Sequence, residues 1–188
     1  MSELRPQTSN LAHGVERNRN KLREIERTIV SVYILSADDF MLLGRQDPSR
    51  GGTYPTAWRA PGGGVKDKDE DEDEDKPRET LVEAMVREAG EEVVGLNLTP
   101  ESLKLLPIAA VLAAEKTLDT GERVWQRMDL RHFETRLDQP AAKLSFVAGD
   151  DLVELRWFGR QERAAIELIP GGRELMLEGG YIDPPSLA

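Results

Sequence analysis

Residues 87–96 read REAGEEVVGL, and this stretch decides the fold because it places three closely spaced glutamates just before a glycine. The preceding residues 81–86, LVEAMV, carry apolar side chains at helical spacing, which predicts a helix with one face against a core. On that helix Glu88, Glu91 and Glu92 stand at positions i, i+3 and i+4, so their carboxylates share one face. Like charges at this spacing repel each other, and the face therefore needs either water or a cation.

The acidic face admits two interpretations. A group of acidic residues on a surface helix is most often a solvated face with no further role. Alternatively, the three carboxylates bind a divalent cation, and their oxygen-only chemistry suits hard ions such as Mg²⁺ or Mn²⁺. The surroundings favour the cation, since the glycine-rich turn PGGG at 61–64 precedes the helix and Gly95 follows it.

The composition limits the classes of protein to consider. The 188 residues suit one compact domain over 21–188 behind a flexible, polar N-terminal arm over 1–20. The chain has no cysteine and only two histidines, which excludes thiolate sites and argues against a multi-histidine zinc site. A formal charge of −10 disfavours binding to a nucleic-acid backbone. No apolar run is long enough for a membrane-spanning helix, so the cytoplasm is the expected compartment.

Hydrophobic patterning predicts an alternation of strands and helices, which is typical of a single α/β domain. Stretches of β-branched and apolar residues predict strands at 28–35, 40–45, 105–114, 123–135 and 153–158, with a short extended segment at 57–60. Helical spacing predicts helices at 20–27, 77–93, 161–168 and 172–178. Pro77 suits the first position of the second helix.

The segment 62–96 resembles the signature of the Nudix hydrolase family. That signature is a glycine, five residues, a glutamate, seven residues and then R-E-U-x-E-E-x-G-U, where U is a bulky aliphatic residue. Gly63 matches the first glycine and Glu79 the first glutamate, and seven residues separate Glu79 from Arg87. The three glutamates of the acidic face then match in register. The resemblance implies the α/β fold of this family, a Nudix-type α/β/α sandwich with a mixed β-sheet.

Three features depart from the signature. Between Gly63 and Glu79 there are 15 residues rather than five, and the ten extra residues are largely the acidic run 66–76. Ala89 stands where a larger aliphatic residue is usual, and Gly95 comes one residue late. A longer loop costs only about 1 kcal/mol of closure entropy, and none of these changes shifts the glutamates relative to each other.

The resemblance implies a metal site on this helix. Glu88 and Glu92 would be the central ligands of Mg²⁺ or Mn²⁺, with Glu91 and the carbonyl of Gly62 as further ligands. The reaction that the resemblance implies is hydrolysis of the pyrophosphate linkage of a nucleoside diphosphate derivative, in which bound cations would neutralise phosphate charge. Sugar nucleotides, dinucleotides and nucleoside triphosphates all remain open as small-molecule substrates.

Other residues would support this chemistry. By resemblance, Arg87 orients a glutamate through a charge-assisted hydrogen bond and belongs with the three glutamates in the catalytic set. Gly63 and Glu79 are structural parts of the motif, Glu79 by tying the loop to the helix. Arg45 and Arg59 are candidates for binding the substrate phosphates, although a single arginine is more often a surface or strand-end residue.

Weaker candidates lie outside the motif. Aromatic residues that could stack on a base, but that in alternating strands more often belong to a core, are Trp58, Trp125 and Phe133. A further arginine that could meet phosphate is Arg127. Acidic residues that could accept the proton of the attacking water are Glu115, Glu122, Asp150 and Glu154.

Two other functions remain open from the sequence. A non-catalytic Nudix-like module that senses a nucleotide is favoured where the motif glutamates are lost, and here they are intact. An isomerase of isoprenoid diphosphates on the same fold uses a dedicated cysteine, and this chain has none. The sequence also leaves a homodimer open.

The acidic run 66–76 predicts a loop that folding does not need. It holds five Asp and three Glu against three Lys, so it repels itself and has no apolar surface to bury. We expect replacement of this run by a short Gly-Ser turn to change the melting temperature by no more than a few degrees. A large fall in melting temperature would show instead that the run packs against the domain or binds an ion structurally.

Overall fold

The computed structural model describes residues 22–46, 54, 56–66, 79–118 and 120–184. The predicted N-terminal arm at 1–20 and the acidic run beyond Lys66 lie outside these residues, as does Pro77. The prediction made for the acidic run therefore stays a prediction. Within the described ranges, no helix is long and apolar enough to cross a membrane.

The described chain alternates strands with helices. The strands are β1 (Arg23–Leu35), β2 (Met41–Gln46), β3 (Trp58–Arg59), β4 (Gly62–Gly64), β5 (Val93–Val94), β6 (Lys104–Thr117), β7 (Arg123–Arg136), β8 (Val147–Ala148) and β9 (Leu152–Phe158). The α-helices are α1 (Leu81–Glu92), α2 (Arg160–Ala165) and α3 (Gly172–Glu178). Single 3₁₀ turns cover Pro100–Ser102 and Ala141–Lys143.

One mixed sheet carries the fold. Its main path runs β3-β2-β1-β7-β6, with β4 paired to β1 and β9 paired to β2. Strands β1 and β7 are parallel and pair along the whole of β1, whereas the other pairs of this sheet are antiparallel. A small second sheet joins β5 to β8, which attaches the end of α1 to the segment before β9.

Helices cover both faces of the sheet, so the predicted α/β/α sandwich is confirmed. The side chains of β1 alternate between the faces, as the period of a strand requires. The face toward α1 contains the buried residues Val30, Val32, Ile34, Ala84, Met85, Ala89 and Phe133. The face toward α3 contains the buried residues Tyr33, Leu35, Leu43, Phe158, Met176, Tyr181 and Ile182.

Helix α1 begins later than the sequence predicted. Pro77 was the expected start, but the first helical residue is Leu81 and the N-cap is Thr80. The Thr80 hydroxyl accepts a hydrogen bond from the Glu83 amide at 3.2 Å, and the Glu83 carboxylate accepts one from the Thr80 amide at 2.8 Å. This reciprocal capping box satisfies two amides that the helix start leaves without partners, and it fixes the start at Thr80.

The predicted helix at 20–27 is wrong. From Arg23 onward this segment is the first half of β1, and Arg23 pairs with Val124 of β7. The side chain of Arg23 also forms an exposed ion pair with Glu122 at 2.9 Å. Pairing with a long neighbouring strand outweighs the weak helical preference of this polar stretch, because strand formation depends more on context than on local propensity.

The predicted strands are confirmed, with small changes at their ends. The strand predicted at 105–114 runs on to Thr117 as β6 and the one at 123–135 is β7. The helix predicted at 161–168 is shorter, because α2 ends at Ala165. Leu168 instead forms a parallel bridge with Trp58, which ties this segment to the short strand β3.

A buried histidine lies at the centre of the β1–β7 pair. His132 is 6% exposed, its Nδ1 lies 2.7 Å from the Ser31 hydroxyl, and its ring stacks on Tyr33. Its Nε2 is buried with no hydrogen-bond partner among the described residues. Burial lowers the pKa of His132 to about 4, because a charged imidazole loses its hydration there.

This lowered pKa predicts a stability that falls in mild acid. The unfolded chain takes up the His132 proton near pH 6.5, whereas the folded chain takes it up only near the depressed pKa, so stability is lost as the pH falls through this window. We expect wild type to lose about 2 kcal/mol more unfolding free energy than His132→Gln between pH 7 and pH 5, measured by urea denaturation. Equal losses of unfolding free energy in wild type and His132→Gln would contradict the lowered pKa of His132.

Candidate active site

Helix α1 turns two glutamates of its acidic face inward and one outward. The side chains of Glu88 and Glu92 are 12% and 3% exposed, whereas that of Glu91 is 45% exposed. Residues four apart lie one above the other on a helix, which explains why Glu88 and Glu92 share the inner edge. The acidic face is therefore not a solvated surface, because two of its three acids are buried.

The glycines of β4 let these carboxylates approach the backbone. A Cβ at Gly63 would lie 2.3 Å from Oε2 of Glu88, so any larger residue would displace that carboxylate. Gly62 has a φ of +152°, and a Cβ there would lie 2.1 Å from the carbonyl oxygen of Val30. Both glycines of the motif are thus required by close approach, Gly63 to the helix and Gly62 to β1.

Glu92 is held between a backbone amide and an arginine. The Gly62 amide donates to Oε2 of Glu92 at 2.7 Å, and the Arg59 guanidinium forms an ion pair with Oε1. The same guanidinium donates to the carbonyl oxygen of Gly62 at 2.7 Å. Burial raises the pKa of Glu92 to about 7, even though Arg59 and the Gly62 amide both oppose that rise. Loss of hydration, rather than repulsion among the acids, is therefore the main electrostatic cost of this site.

Arg87 connects the loop, the strand and the helix. Its guanidinium binds both carboxylate oxygens of Glu79, at 2.8 and 3.0 Å, and donates to the carbonyl oxygen of Gly64 at 2.9 Å. It also donates to Glu88 at 2.8 Å and to Glu91 at 3.1 Å. The hydrogen bonds from Arg87 lower the pKa of Glu79. Glu79 thus accepts hydrogen bonds from Arg87 on the helix and, at 2.9 Å, from the Lys66 amide after the glycine turn.

A distal loop reaches the same end of α1. The Gly149 amide, between β8 and β9, donates to the main-chain carbonyl of Glu92 at 3.0 Å. Asp150, whose φ is +46°, follows Gly149 directly, and its charge acts on Glu88. Burial raises the pKa of Glu88, and the charges of Glu91 and Asp150 add to the rise while Arg87 opposes it. No sequence spacing links Asp150 to the helix, because the β5–β8 pair creates the proximity.

The other predicted proton acceptors are engaged elsewhere. Glu115 pairs with Arg123 and Glu122 pairs with Arg23, both on the exposed end of the sheet. Glu154 pairs with Arg45, a predicted phosphate ligand. Of these four acids, Asp150 is the one whose charge is felt by a glutamate of α1.

The predicted substrate-binding arginines occupy different environments. Arg45 is 40% exposed and lies 5.3 Å from the ring centroid of Trp58. Arg59 is 16% exposed and contacts the acidic helix directly. Trp58 is 9% exposed and packs edge-on against Phe158, which leaves little of its ring for stacking on a base.

The donor atoms gathered here suit a hard cation. They are carboxylate oxygens of Glu88 and Glu92 and the carbonyl oxygen of Gly62, without nitrogen or sulfur. Within the described residues, no three acidic or histidine side chains are grouped so that they could hold a metal ion. In the metal-free protein Arg59 engages Glu92 and Arg87 engages Glu88. The donor chemistry fits a metal, and in the metal-free protein arginine side chains occupy these donors.

Comparison with known families agrees with this geometry. The NUDIX domain model matches residues 26–178, which is most of the chain. The chain belongs to the Nudix family. The match covers both the acidic helix and the distal loop that carries Asp150. Comparison with curated proteins gives no significant match.

Solved structures of this family share the fold. A MutT protein from Methanosarcina mazei Go1 is 18% identical with a TM-score of 0.55, over 84% of this chain and 94% of that chain. A bifunctional NMN adenylyltransferase/ADP ribose pyrophosphatase from Francisella tularensis, complexed with AMP and Mn ion, is 17% identical with a TM-score of 0.55. The match covers 82% of this Nudix chain, which spans only 42% of that protein. An Ap4A hydrolase from C. elegans is 16% identical with a TM-score of 0.51, over 82% of this chain and 95% of that chain.

The contacts of Arg87 predict that it stabilises the metal-free fold. Changing Arg87 to Met keeps the aliphatic length but leaves the half-buried carboxylates of Glu79 and Glu88 without their cation. We expect a loss of about 2–3 kcal/mol of unfolding free energy, measured by urea denaturation at pH 7. The matched control is Arg131→Met, since Arg131 pairs with Asp129 where both are about 40% exposed. We expect it to lose less than about 1 kcal/mol. Equal losses in the two variants would mean that Arg87 does not organise the site.

Proposed function

We propose that this Nudix protein is a divalent-metal-dependent hydrolase that cleaves the pyrophosphate linkage of a nucleoside diphosphate derivative. The observation that carries the proposal is the burial of Glu88 and Glu92 against the backbone of β4. Placing two carboxylates there costs folding free energy, because charged groups lose hydration. Such costs concentrate at functional sites, where perturbed acids do chemistry or hold ions.

The oxygen atoms at this site support Mg²⁺ or Mn²⁺ as the cofactor. Glu88 and Glu92 would be the central ligands, and Glu91 and the Gly62 carbonyl would complete the set. When bound, the metal would neutralise phosphate charge and help activate water for attack on phosphorus. The Mn ion in the Francisella structure is consistent with this choice of cofactor.

The remaining polar groups have roles that follow from their contacts. Arg87 would fix Glu88, since it is itself anchored on both oxygens of Glu79. Arg45 and Arg59 would bind phosphate oxygens, because both lie on the strands β2 and β3 that lead into the glycine turn. Asp150 would accept the proton of the attacking water, since its charge reaches Glu88.

The substrate class is inferred from the chemistry and from the neighbours together. The Francisella neighbour is described as an ADP ribose pyrophosphatase and the C. elegans neighbour as an Ap4A hydrolase. Both substrates join a nucleotide to a second group through phosphoanhydride bonds. ADP-ribose, dinucleoside polyphosphates and nucleoside triphosphates therefore form the panel to test first.

The Glu92→Gln variant tests the proposal most directly. Glutamine keeps the shape of Glu92 but removes the charge that a cation needs, so we expect turnover to fall by orders of magnitude while the fold survives. Hydrolysis of the panel should be followed by chromatography of the products, with Mg²⁺ and with chelator. Glu178→Gln is the matched control, because Glu178 is exposed at the end of α3 on the opposite face of the sheet.

Two outcomes would contradict the proposal. Wild-type activity undiminished by chelator, or equal rates in wild type and Glu92→Gln, would exclude the metal mechanism. Tight nucleotide binding without hydrolysis of any member of the panel would favour a non-catalytic sensing module instead.

A further inference from the structure

Arg59 contacts two atoms that the proposed metal also needs. Its guanidinium donates to the Gly62 carbonyl oxygen at 2.7 Å and forms an ion pair with Oε1 of Glu92. Within the described residues, these are the two acceptors to which Arg59 donates. Both are proposed ligands, one from the main chain and one from the helix. The guanidinium therefore lies where a cation bound to these oxygens would lie.

Arg59 and a metal ion exclude each other at this position. Glu92 is 3% exposed, so water screens little of the repulsion between a guanidinium and a divalent ion placed on the same oxygens. The Gly62 amide already donates a hydrogen bond to Oε2 of Glu92. Oε1 is therefore the atom for which the guanidinium and the metal ion compete.

The contacts of Arg59 differ from those of Arg87 in a way that permits movement. Arg87 is anchored on both oxygens of Glu79, which is not a proposed ligand, so it keeps an anchor when a metal binds. Among the described residues Arg59 has no such anchor, and its Nε is buried there with no hydrogen-bond partner. A buried donor without a partner costs free energy, so withdrawal of the guanidinium toward solvent recovers part of what the ion pair contributes.

We propose that Arg59 is a resident counter-cation, a positioning residue that occupies the metal's place in the metal-free protein and leaves it when the metal binds. This inference rests on the proposed function, because it assumes that Glu92 and Gly62 are metal ligands. In the metal-free state Arg59 compensates the buried charge of Glu92 and keeps the glycine turn against the helix. Metal affinity is then lower than the ligand set alone would give, since each binding event must break these contacts.

The test is direct titration with Mn²⁺ alone, without nucleotide, followed by electron paramagnetic resonance of the free ion. Arg59→Met removes the competing charge and both donors while keeping the aliphatic stem. We expect Arg59→Met to bind Mn²⁺ roughly tenfold more tightly than wild type, the factor that follows from one charge-assisted hydrogen bond that no longer has to be broken. Mn²⁺ should also raise the melting temperature of this variant more than that of wild type, because at the same Mn²⁺ concentration the tighter-binding protein is stabilised more.

Two control variants separate direct competition from a general effect of charge. Arg45→Met removes the same charge from the neighbouring strand, where Arg45 pairs with Glu154, and we expect its Mn²⁺ affinity to stay within about twofold of wild type. Arg59→Lys keeps the charge but not the two-pronged donor, so its affinity should fall between wild type and Arg59→Met. If Arg59→Met does not fold, Arg59→Lys is the variant that tests the proposal.

The possible results of the Mn²⁺ titration separate the counter-cation role of Arg59 from the proposed metal site itself. Mn²⁺ binding by wild type that Arg59→Met and Arg59→Lys leave unchanged or weaken would overturn the counter-cation role alone. An equal gain in Arg45→Met would overturn it as well, since charge anywhere near the site would then suffice. Absence of Mn²⁺ binding in every variant, or binding that Glu92→Gln does not weaken, would overturn the proposed metal site and the inference with it.

Discussion

The contact between the acidic edge of α1 and the backbone of β4 is the constraint on which the rest of the site depends. Glu92 must reach the Gly62 amide, and Glu88 must lie where a side chain at Gly63 would otherwise be. Neither contact would survive without burial of the apolar side of the same helix, which presses it onto β1. The acids are thus held in place by hydrophobic packing, and the two arginines offset the electrostatic cost of that position.

The sequence predicted the parts of this arrangement that depend on local spacing. Helical periodicity located Glu88 and Glu92 on one face, and the family resemblance identified the glycines that meet them. The same reasoning assigned Arg87 to a glutamate, and the structure shows it bridging Glu79 and Glu88. These features were predictable because helical spacing and a match to a family signature can both be read within one segment of the chain, 62–96.

Features that arise from tertiary pairing were not predictable in this way. The local pattern at the start of β1 predicts a helix, because it contains no sign of the pairing with β7. Spacing did not favour Asp150 over the other distal acids, since the β5–β8 pair brings it to the helix. The sequence predicted that Arg59 would meet phosphate, but not that it contacts Glu92, because that contact crosses from β3 to α1. In each case the deciding neighbour lies far away along the chain.

The parallel pair of β1 and β7 also governs the order in which this protein is able to fold. It joins residues about 100 positions apart, such as Val30 and Arg131, so the central ladder forms only after a large loop has closed. Proteins dominated by such long-range contacts fold slowly, since the entropy of loop closure precedes the gain from pairing. During synthesis the glycine turn and the acidic helix leave the ribosome well before β7 does. The nascent chain therefore carries β1 without its parallel partner until β7 has been synthesised, and an unpaired strand edge is prone to aggregation.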